Sequence, residues 1–164
     1  MSAVYFLSDL HLGHKNICKF RTGFNSVEEH NALIKENYHK RVTKRDTVYF
    51  LGDVAFDEES LADVKTWAGA KKILICGNHD SERGITMKDL CNTYDAVYSL
   101  FKYKNMWLSH APIHPDELRG KINVHGHTHY HVIDDNRYLN VCMEQIDYTP
   151  IELHELREKI YGTN

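Results

Sequence analysis

The stretch Val4-Tyr5-Phe6-Leu7-Ser8-Asp9-Leu10-His11 joins an apolar run of the kind that forms a buried strand to an acidic and an imidazole side chain. Asp9 and His11 are two positions apart, and residues i and i+2 of extended backbone point the same way, so both can reach one ion. Polar clusters follow a predicted strand at four further places: Gly52-Asp53, Gly77-Asn78-His79-Asp80, Ser109-His110 and Gly126-His127-Thr128-His129. Each cluster alone is a weak signal, but the ordered series supplies the roughly seven ligands that a pair of metal ions needs.

The hydrophobic pattern around these clusters predicts alternating strands and helices in the first half of the chain and mainly strands in the second. Strands are predicted at residues 4–8, 47–51, 72–76, 96–103, 106–109, 122–125 and 138–143. Residues 9–25 are predicted to form a long polar loop. Helices are predicted after the Ser26 cap, at residues 58–68 and after Thr149-Pro150, where Glu152 would complete a capping box. This order indicates an α/β fold with two packed sheets and helices on the outside.

The composition fits an ordinary globular protein. The chain has 164 residues, of which 42% are hydrophobic and 26% charged, and we expect one domain over residues 1–164 with its own core. The apolar runs are too short for a membrane helix, and the N-terminal residues indicate a strand rather than a signal peptide. The net charge of −3 argues against binding of duplex nucleic acid. Four cysteines without a Cys-x-x-Cys pair predict reduced thiols in a cytoplasmic protein.

The clusters offer the oxygen and nitrogen ligands that divalent ions prefer. His127 and His129 repeat the spacing of the first pair, and Asp53 has two carboxylate oxygens with which it can bridge two ions. Asn78 adds an amide oxygen, and His110 follows another strand. Two divalent ions with two carboxylates and a bound hydroxide keep a net charge of roughly +1, which suits a phosphate anion. Because coordination lowers the pKa of water towards about 7, no side-chain nucleophile is needed.

The five clusters resemble the motif series D-x-H, G-D, G-N-H-D/E, H and G-H-x-H of the calcineurin-like metallophosphoesterase superfamily, over residues 9–129. The resemblance implies a two-sheet β-sandwich flanked by helices, the αββα arrangement of metallo-dependent phosphatases. It also implies the ligand sets. The first ion would be held by Asp9, His11 and His129, and the second by Asn78, His110 and His127, with Asp53 as the bridge.

The resemblance assigns His79 a catalytic role without metal binding, in which it contacts the phosphate and helps to protonate or stabilise the leaving oxygen. Asp80 would orient His79. From its position in the polar loop, His14 could reach the substrate, and His114, Arg119 and Arg83 are weaker candidates for contacts with the non-reacting part. Histidines outside these roles are predicted to be bystanders near the last cluster (His125, His131) or surface residues of helices (His30, His39, His154).

The chain departs from the phosphoprotein phosphatases of this superfamily, which carry G-D-x-x-D-R-G. Gly52-Asp53-Val54-Ala55-Phe56-Asp57-Glu58 lacks the second aspartate at that offset and the arginine, so protein phosphatase activity is disfavoured. The stretch Asp9-Leu10-His11-Leu12-Gly13-His14-Lys15-Asn16 is similar to small bacterial or phage-type members that consist of little more than the catalytic core.

The sequence therefore predicts a metal-dependent hydrolase of phosphate esters, in which a hydroxide bridging two ions attacks phosphorus. Phosphodiesters are favoured because a core without a cap leaves room for both arms, and the expected partner is a small phosphoester, with nucleotide-derived compounds among the candidates. A phosphomonoesterase acting on nucleotides or sugar phosphates, a nuclease for short single strands and a non-catalytic metal-binding module are the alternatives. The mixed ligands suit Mn, Fe, Zn, Ni or Co, and we expect Mn²⁺ to support activity in vitro.

Overall fold

Two β-sheets packed face to face form the centre of the molecule in the computed structural model, which describes residues 1–162. The strands in chain order are β1 (Val4–Leu7), β2 (Thr47–Phe50), β3 (Lys71–Ile75), β4 (Ala96–Tyr98), β5 (Leu100–Tyr103), β6 (Met106–Ser109), β7 (Ile122–His125), β8 (Tyr138–Asn140) and β9 (Ile151–Glu152). The first sheet has the order β4-β3-β2-β1-β9, and the second has the order β5-β6-β7-β8. Only β9 in the first sheet and β5 in the second run antiparallel to their neighbours within these residues.

Aromatic side chains fill the space between the sheets. The ring of Phe6 stacks on Tyr49 within the first sheet, and both rings contact Tyr103 of the second sheet at centroid distances of 5.9 and 5.2 Å. The first three strands are almost entirely buried because their side chains are covered on both faces, as in parallel sheets generally. The predicted two-sheet architecture is confirmed.

Within residues 1–162, five α-helices lie outside the sheets: α1 (Ile17–Phe20), α2 (Val27–Arg41), α3 (Glu58–Thr66), α4 (Met87–Thr93) and α5 (Leu153–Tyr161). Ser26 caps α2 as predicted, with its hydroxyl accepting from the backbone N–H of Glu29, and Ile34 and Tyr38 are buried on its inner face. The side chain of Glu29 accepts from the N–H of Asn25 rather than closing a capping box on Ser26. Among residues 1–162, no helix combines the length and apolarity that crossing a bilayer requires.

Two predicted elements have different bounds because their residues pair with distant strands. The strand predicted over residues 96–103 is interrupted at Ser99, since β4 joins β3 in the first sheet while β5 joins β6 in the second. The last helix begins at Leu153 rather than after Thr149, because β9 pairs with β1. Glu152 therefore caps the helix, and its partner in the capping box is Glu155.

Further predictions were wrong in the polar loop and at places later in the chain. The loop contains the short helix α1, α4 was not predicted, and the strand at residues 138–143 ends at Asn140. His30, predicted to be a surface residue, is fully buried: Arg21 Nη1 lies 2.8 Å from its Nε2, and Phe24 packs against its ring. His39 and His154 are exposed, as predicted.

Candidate metal centre

The carboxyl ends of the parallel strands gather the five polar clusters at one edge of the molecule. Asp9, Asp53 and Asn78 follow β1, β2 and β3, which are neighbours in the first sheet. His110 and His127 follow β6 and β7, neighbours in the second sheet. Parallel strands end at the same edge, so residues far apart in sequence meet there. All seven predicted ligands are brought together in this way.

The first ligand cluster consists of Asp9, His11 and His129, whose ligand atoms lie within 4.8 Å of one another. The Nε2 atoms of both histidines lie 3.5 Å from Asp9 Oδ1. Asp9 Oδ1 and His11 Nε2 are buried without a hydrogen-bond partner within residues 1–162. Buried polar atoms are rarely left unpaired, so this donor set fits a cation at its centre. Burial opposes ionisation of Asp9, but His11, His110 and Ser8 hold its pKa well below the ordinary value.

The second ligand cluster consists of Asp53, Asn78, His110 and His127. His110 Nε2 lies 3.3 Å from Asp53 Oδ2, 3.0 Å from Asn78 Oδ1 and 3.2 Å from His127 Nδ1. Asp53 Oδ2 also lies 3.9 Å from His11 Nε2 of the first ligand cluster. The other oxygen, Oδ1, accepts a hydrogen bond from the backbone N–H of His79 at 2.9 Å. One oxygen of Asp53 therefore faces both clusters, which fits the predicted bridging role.

The backbone at the site is unusual because five ligands have left-handed φ angles. These are Asp9 (58°), His11 (52°), Asp53 (53°), His127 (68°) and His129 (48°). Each such residue costs about 1–3 kcal/mol, and residues of this kind concentrate at functional sites. Two glycines permit the close approach of the loops: a Cβ on Gly126 would overlap Ser8 and the Asp9 carboxylate, and one on Gly77 would overlap Asp53.

Hydrogen bonds on the far side of two imidazole rings orient their metal-facing nitrogens. His110 Nδ1 lies 2.7 Å from the carbonyl oxygen of Leu51, so its N–H donates there and Nε2 faces the cluster. His129 Nδ1 lies 3.0 Å from Glu144 Oε1 in the same way. Burial works against a charged His110, but Asp53 and Asp9 raise its pKa to about 9 in the metal-free protein. A proton then takes the place that a cation would fill.

Glu144 and Arg21 form a buried ion pair behind the first ligand cluster that sequence reasoning missed. Glu144 Oε1 accepts from Arg21 Nε at 2.8 Å as well as from His129. Arg21, 1% exposed, also donates to the carbonyl oxygens of Asp9 and Leu10. Although burial opposes it, His129 and Arg21 lower the pKa of Glu144 to about 2. A single glutamate and a single arginine 123 positions apart carry no spacing signal that could have identified them.

Cys142 also supports the first ligand cluster. Its Sγ donates to Asp9 Oδ2 at 3.1 Å, the oxygen that faces away from the imidazoles and that also accepts from Ser8 Oγ and the His127 N–H. Burial raises the pKa of this thiol, so it remains protonated and able to donate. The sequence indicated only a reduced thiol at this position.

His79 lies beside the ligands, but its orienting partner is not the predicted one. Its Nδ1 lies 2.8 Å from Glu82 Oε2. The expectation that Asp80 orients His79 was wrong, because the carboxylate of Asp80 accepts the backbone N–H groups of Asp53, Val54 and Gly77 at 2.7–3.0 Å. These hydrogen bonds of Asp80 connect the loop after β2 to the loop after β3 and so fix the distance between Asp53 and His79.

The remaining candidates differ in their distance from the ligands. The ring of His14 lies 5.7 Å from that of His11 and 4.8 Å from that of Phe56, so it borders the site, and its contact with substrate stays a prediction. The guanidinium of Arg83 lies 4.9 Å over the Phe56 ring. His114 and Arg119 are exposed and pair with the acidic residues Asp116 and Glu117 of their own loop. His125 is buried, with Nδ1 2.8 Å from the Gly126 oxygen.

Two clefts open beside the ligands, one at each cluster. A cleft of about 400 Å³ is lined by His11 and His129 of the first ligand cluster together with His79. A second cleft, of about 560 Å³, is lined by Asn78 and His127 of the second ligand cluster. The candidate metal centre therefore lies between two spaces that could each accept a substituent of a substrate.

Comparison with known proteins identifies relatives over most of the chain. The family model described as calcineurin-like phosphoesterase matches residues 2–158. The gene 66 protein of Mycobacterium phage L5 is 31% identical over 79% of this chain and 78% of the relative, and an uncharacterized protein of Methanocaldococcus jannaschii is 28% identical over 93% and 88%. The crystal structure of a protein of unknown function from Aquifex aeolicus is similar with a TM-score of 0.76 and 26% identity, over 96% of this chain and 99% of that one.

Proposed function

Since this chain belongs to the calcineurin-like phosphoesterase family, we propose that it hydrolyses phosphodiesters with two divalent metal ions, one at each ligand cluster. Membership of the family implies metal-dependent hydrolysis of phosphate esters. The observation that carries the dinuclear proposal is the position of Asp53 Oδ2, which lies 3.9 Å from His11 Nε2 and 3.3 Å from His110 Nε2. A single oxygen between two ligand sets is what a bridging ligand requires.

The residues present fit the proposed ions. Within the described part of the chain, the first ligand cluster has two buried polar atoms without hydrogen-bond partners, and the second offers a carboxylate, an amide oxygen and two imidazoles. When bound, two divalent ions supply an activated water and offset the negative charge of the phosphate. Mixed oxygen and nitrogen ligands of this kind accept Mn²⁺ as well as Fe, Zn, Ni or Co, and we propose Mn²⁺ for activity in vitro.

His79 is proposed as the group that protonates the leaving oxygen. Glu82 holds Nδ1 of its ring at 2.8 Å, and the ring is partly exposed in the cleft of about 400 Å³. Nε2 is therefore the nitrogen that can face a departing alkoxide. The backbone of the same residue donates to Asp53 Oδ1, which couples the position of the acid to the bridging carboxylate.

A diester is favoured over a monoester because space is available beside both ligand clusters. A monoester has one substituent and would use one cleft. The two clefts, of about 400 and 560 Å³, would hold both arms of a diester with the phosphate between them. The substrate is thus a small phosphoester whose two arms extend in different directions from the metal centre.

The test is metal add-back to chelator-stripped protein. Bis-p-nitrophenyl phosphate and p-nitrophenyl phosphate are supplied separately with Mn²⁺, Ni²⁺, Co²⁺, Zn²⁺ or Mg²⁺, and bound metal is counted by mass spectrometry. We expect turnover of the diester with a transition metal, two ions per chain, and loss of both activity and metal in Asp53→Asn. A clear preference for the monoester would replace the diester proposal, and absence of turnover with two ions bound would indicate a binding module.

We further propose that the protein acts in the cytoplasm. Its four cysteines, Cys18, Cys76, Cys91 and Cys142, are all free thiols, which is usual in reducing compartments. Fractionation of the source cells followed by thiol labelling would test this, and recovery in an oxidising compartment would contradict it.

A further inference from the structure

An aromatic cleft adjoins the first ligand cluster, and the proposed function leaves open what kind of substrate arm it holds. It is the space of about 400 Å³ already described, and beyond the ligands its walls include Phe20, Phe56, Tyr130, His14 and Arg83. These residues come from four separate parts of the chain: the loop with α1, the loop after β2, the loop after β3 and the loop after β7. The cleft opens directly at His11 and His129, so whatever occupies it also borders the metal centre.

The floor of the aromatic cleft is closely packed. Phe56 is 4% exposed, and its ring is surrounded by the rings of His11, His14 and His79 at centroid distances of 4.6, 4.8 and 5.2 Å. The guanidinium of Arg83 lies 4.9 Å over the same ring. Because Phe56 is covered in this way, the floor presents to the cleft the imidazole rings packed on it and the guanidinium of Arg83.

The walls of the aromatic cleft expose two large rings to solvent. Phe20 and Tyr130 are each 65% exposed, although Phe20 ends a helix whose first residue, Ile17, is buried. A single exposed aromatic residue needs no explanation, but two that line one cleft beside a candidate active site are the usual composition of a ligand pocket.

We propose that the aromatic cleft binds a planar aromatic ring carried by one arm of the phosphoester substrate, either a nucleobase or a simpler aryl group. This inference rests on the proposed function, since it identifies the substrate of the same site. Aromatic rings stack on Phe and Tyr side chains and on guanidinium groups without regard to the pattern of polar atoms at their edges. A sugar fits less well, because Ile17, Phe20 and Phe56 of the cleft lining are apolar and offer no partner to its hydroxyls.

Calorimetry with non-hydrolysable phosphonates tests the proposal on the metal-loaded protein. Phenylphosphonate, butylphosphonate and methylphosphonate share the anionic group and differ in the substituent. We expect the Kd of phenylphosphonate to be roughly tenfold lower than that of methylphosphonate, with butylphosphonate close to methylphosphonate. The Phe20→Ala/Tyr130→Ala variant should lose this difference and bind methylphosphonate unchanged. Tyr161→Ala, which removes a tyrosine 64% exposed at the end of α5, is the matched control and should retain it.

Each outcome distinguishes the aromatic cleft from the proposed function. Equal affinity for all three phosphonates, or an equal gain in affinity from the butyl and the phenyl group, would overturn the aromatic inference. Neither result would affect the proposed metal centre. If no phosphonate binds, the proposed function fails, and the aromatic cleft is then tested by saturation-transfer NMR with adenosine and ribose on the metal-free protein. Saturation transfer to the adenine ring that is lost in the double variant supports the aromatic inference. Absence of transfer to adenine in the unmodified protein overturns it. Comparing the affinities for adenosine 5′-monophosphate and ribose 5-phosphate distinguishes a nucleobase from a simpler aryl group. If adenine raises the affinity by more than the phenyl group does, a nucleobase is favoured.

Discussion

The two ligand clusters contain similar donors but lie in different surroundings. Behind the first, the histidine ligand His129 is held by Glu144, which is held in turn by the buried Arg21, and the carboxylate of Asp9 accepts from Ser8 and Cys142. In the second, Asn78 and His127 are exposed, and His110 is oriented by one backbone carbonyl. Partners of metal ligands commonly raise affinity about 10–100-fold. If two ions bind as proposed, we expect the first to be held more firmly and the second to exchange more readily.

The largest effect is expected where the two clusters join. Asp53→Asn removes charge from the oxygen that faces both, so metal content should fall below two ions and kcat/KM for bis-p-nitrophenyl phosphate should fall roughly ten-thousandfold. Metal analysis and steady-state kinetics measure both. Asp116→Asn, at an exposed carboxylate, is the control. A variant with full metal content and activity would show that the clusters do not share this ligand.

His79→Ala should reduce the catalytic rate without reducing the metal content. Because His79 borders the clusters without belonging to either, kcat should fall roughly a thousandfold while both ions remain bound. The measurement is metal content together with kcat at saturating substrate. Loss of an ion from this variant would contradict the role of proton donor and make His79 a ligand.

In the metal-free protein, the free energy of unfolding should depend on pH through His110 of the second ligand cluster. The pKa of His110 is raised to about 9 from an ordinary value near 6.5. Its stabilising contribution is therefore complete below pH 6.5 and is lost as the pH rises through about 9, which lowers the free energy of unfolding by about 3 kcal/mol. Urea unfolding at a series of pH values measures this. His110→Gln should flatten the profile in this range, and an unchanged profile would assign the titration to another group.

Glu144→Gln should weaken only the first ligand cluster. A neutral amide can still contact His129 but supports it less strongly, so the affinity for one ion should fall at least roughly tenfold while the other ion is unaffected. Metal titration by calorimetry resolves the two sites. Glu82→Gln, which changes the partner of His79, is the matched control and should leave both affinities unchanged. If Glu144→Gln lowered the affinity for both ions equally, Glu144 would not support the first ligand cluster selectively.

The ligands were predictable because their signal is local. A strand followed at once by Asp9 and His11, or by His127 and His129, marks where candidate ligands enter the site. The extended backbone assumed for these pairs was wrong, because all four residues have left-handed φ angles and His127 and His129 lie in different ligand clusters. Parallel strands end at one edge, so the order of such clusters implies that they meet. The same local reasoning gave α2 and most strands, and it failed at Ser99, where the two halves of one apolar run join different sheets.

By itself, therefore, the sequence determined most of the strands, the side chains that are candidate metal ligands and the family to which the chain belongs, since each depends on neighbours within a few positions. Only the tertiary structure decided what surrounds those ligands: the Glu144–Arg21 pair, the use of Asp80 to join two loops, the burial of His30 and the aromatic cleft. Each of these joins segments that are distant in the chain, and a hydrogen bond or ring contact between distant segments leaves no periodic pattern in either one. The physical reason is that burial and pairing of a polar group are settled by which strands become neighbours, and that is a property of the whole fold.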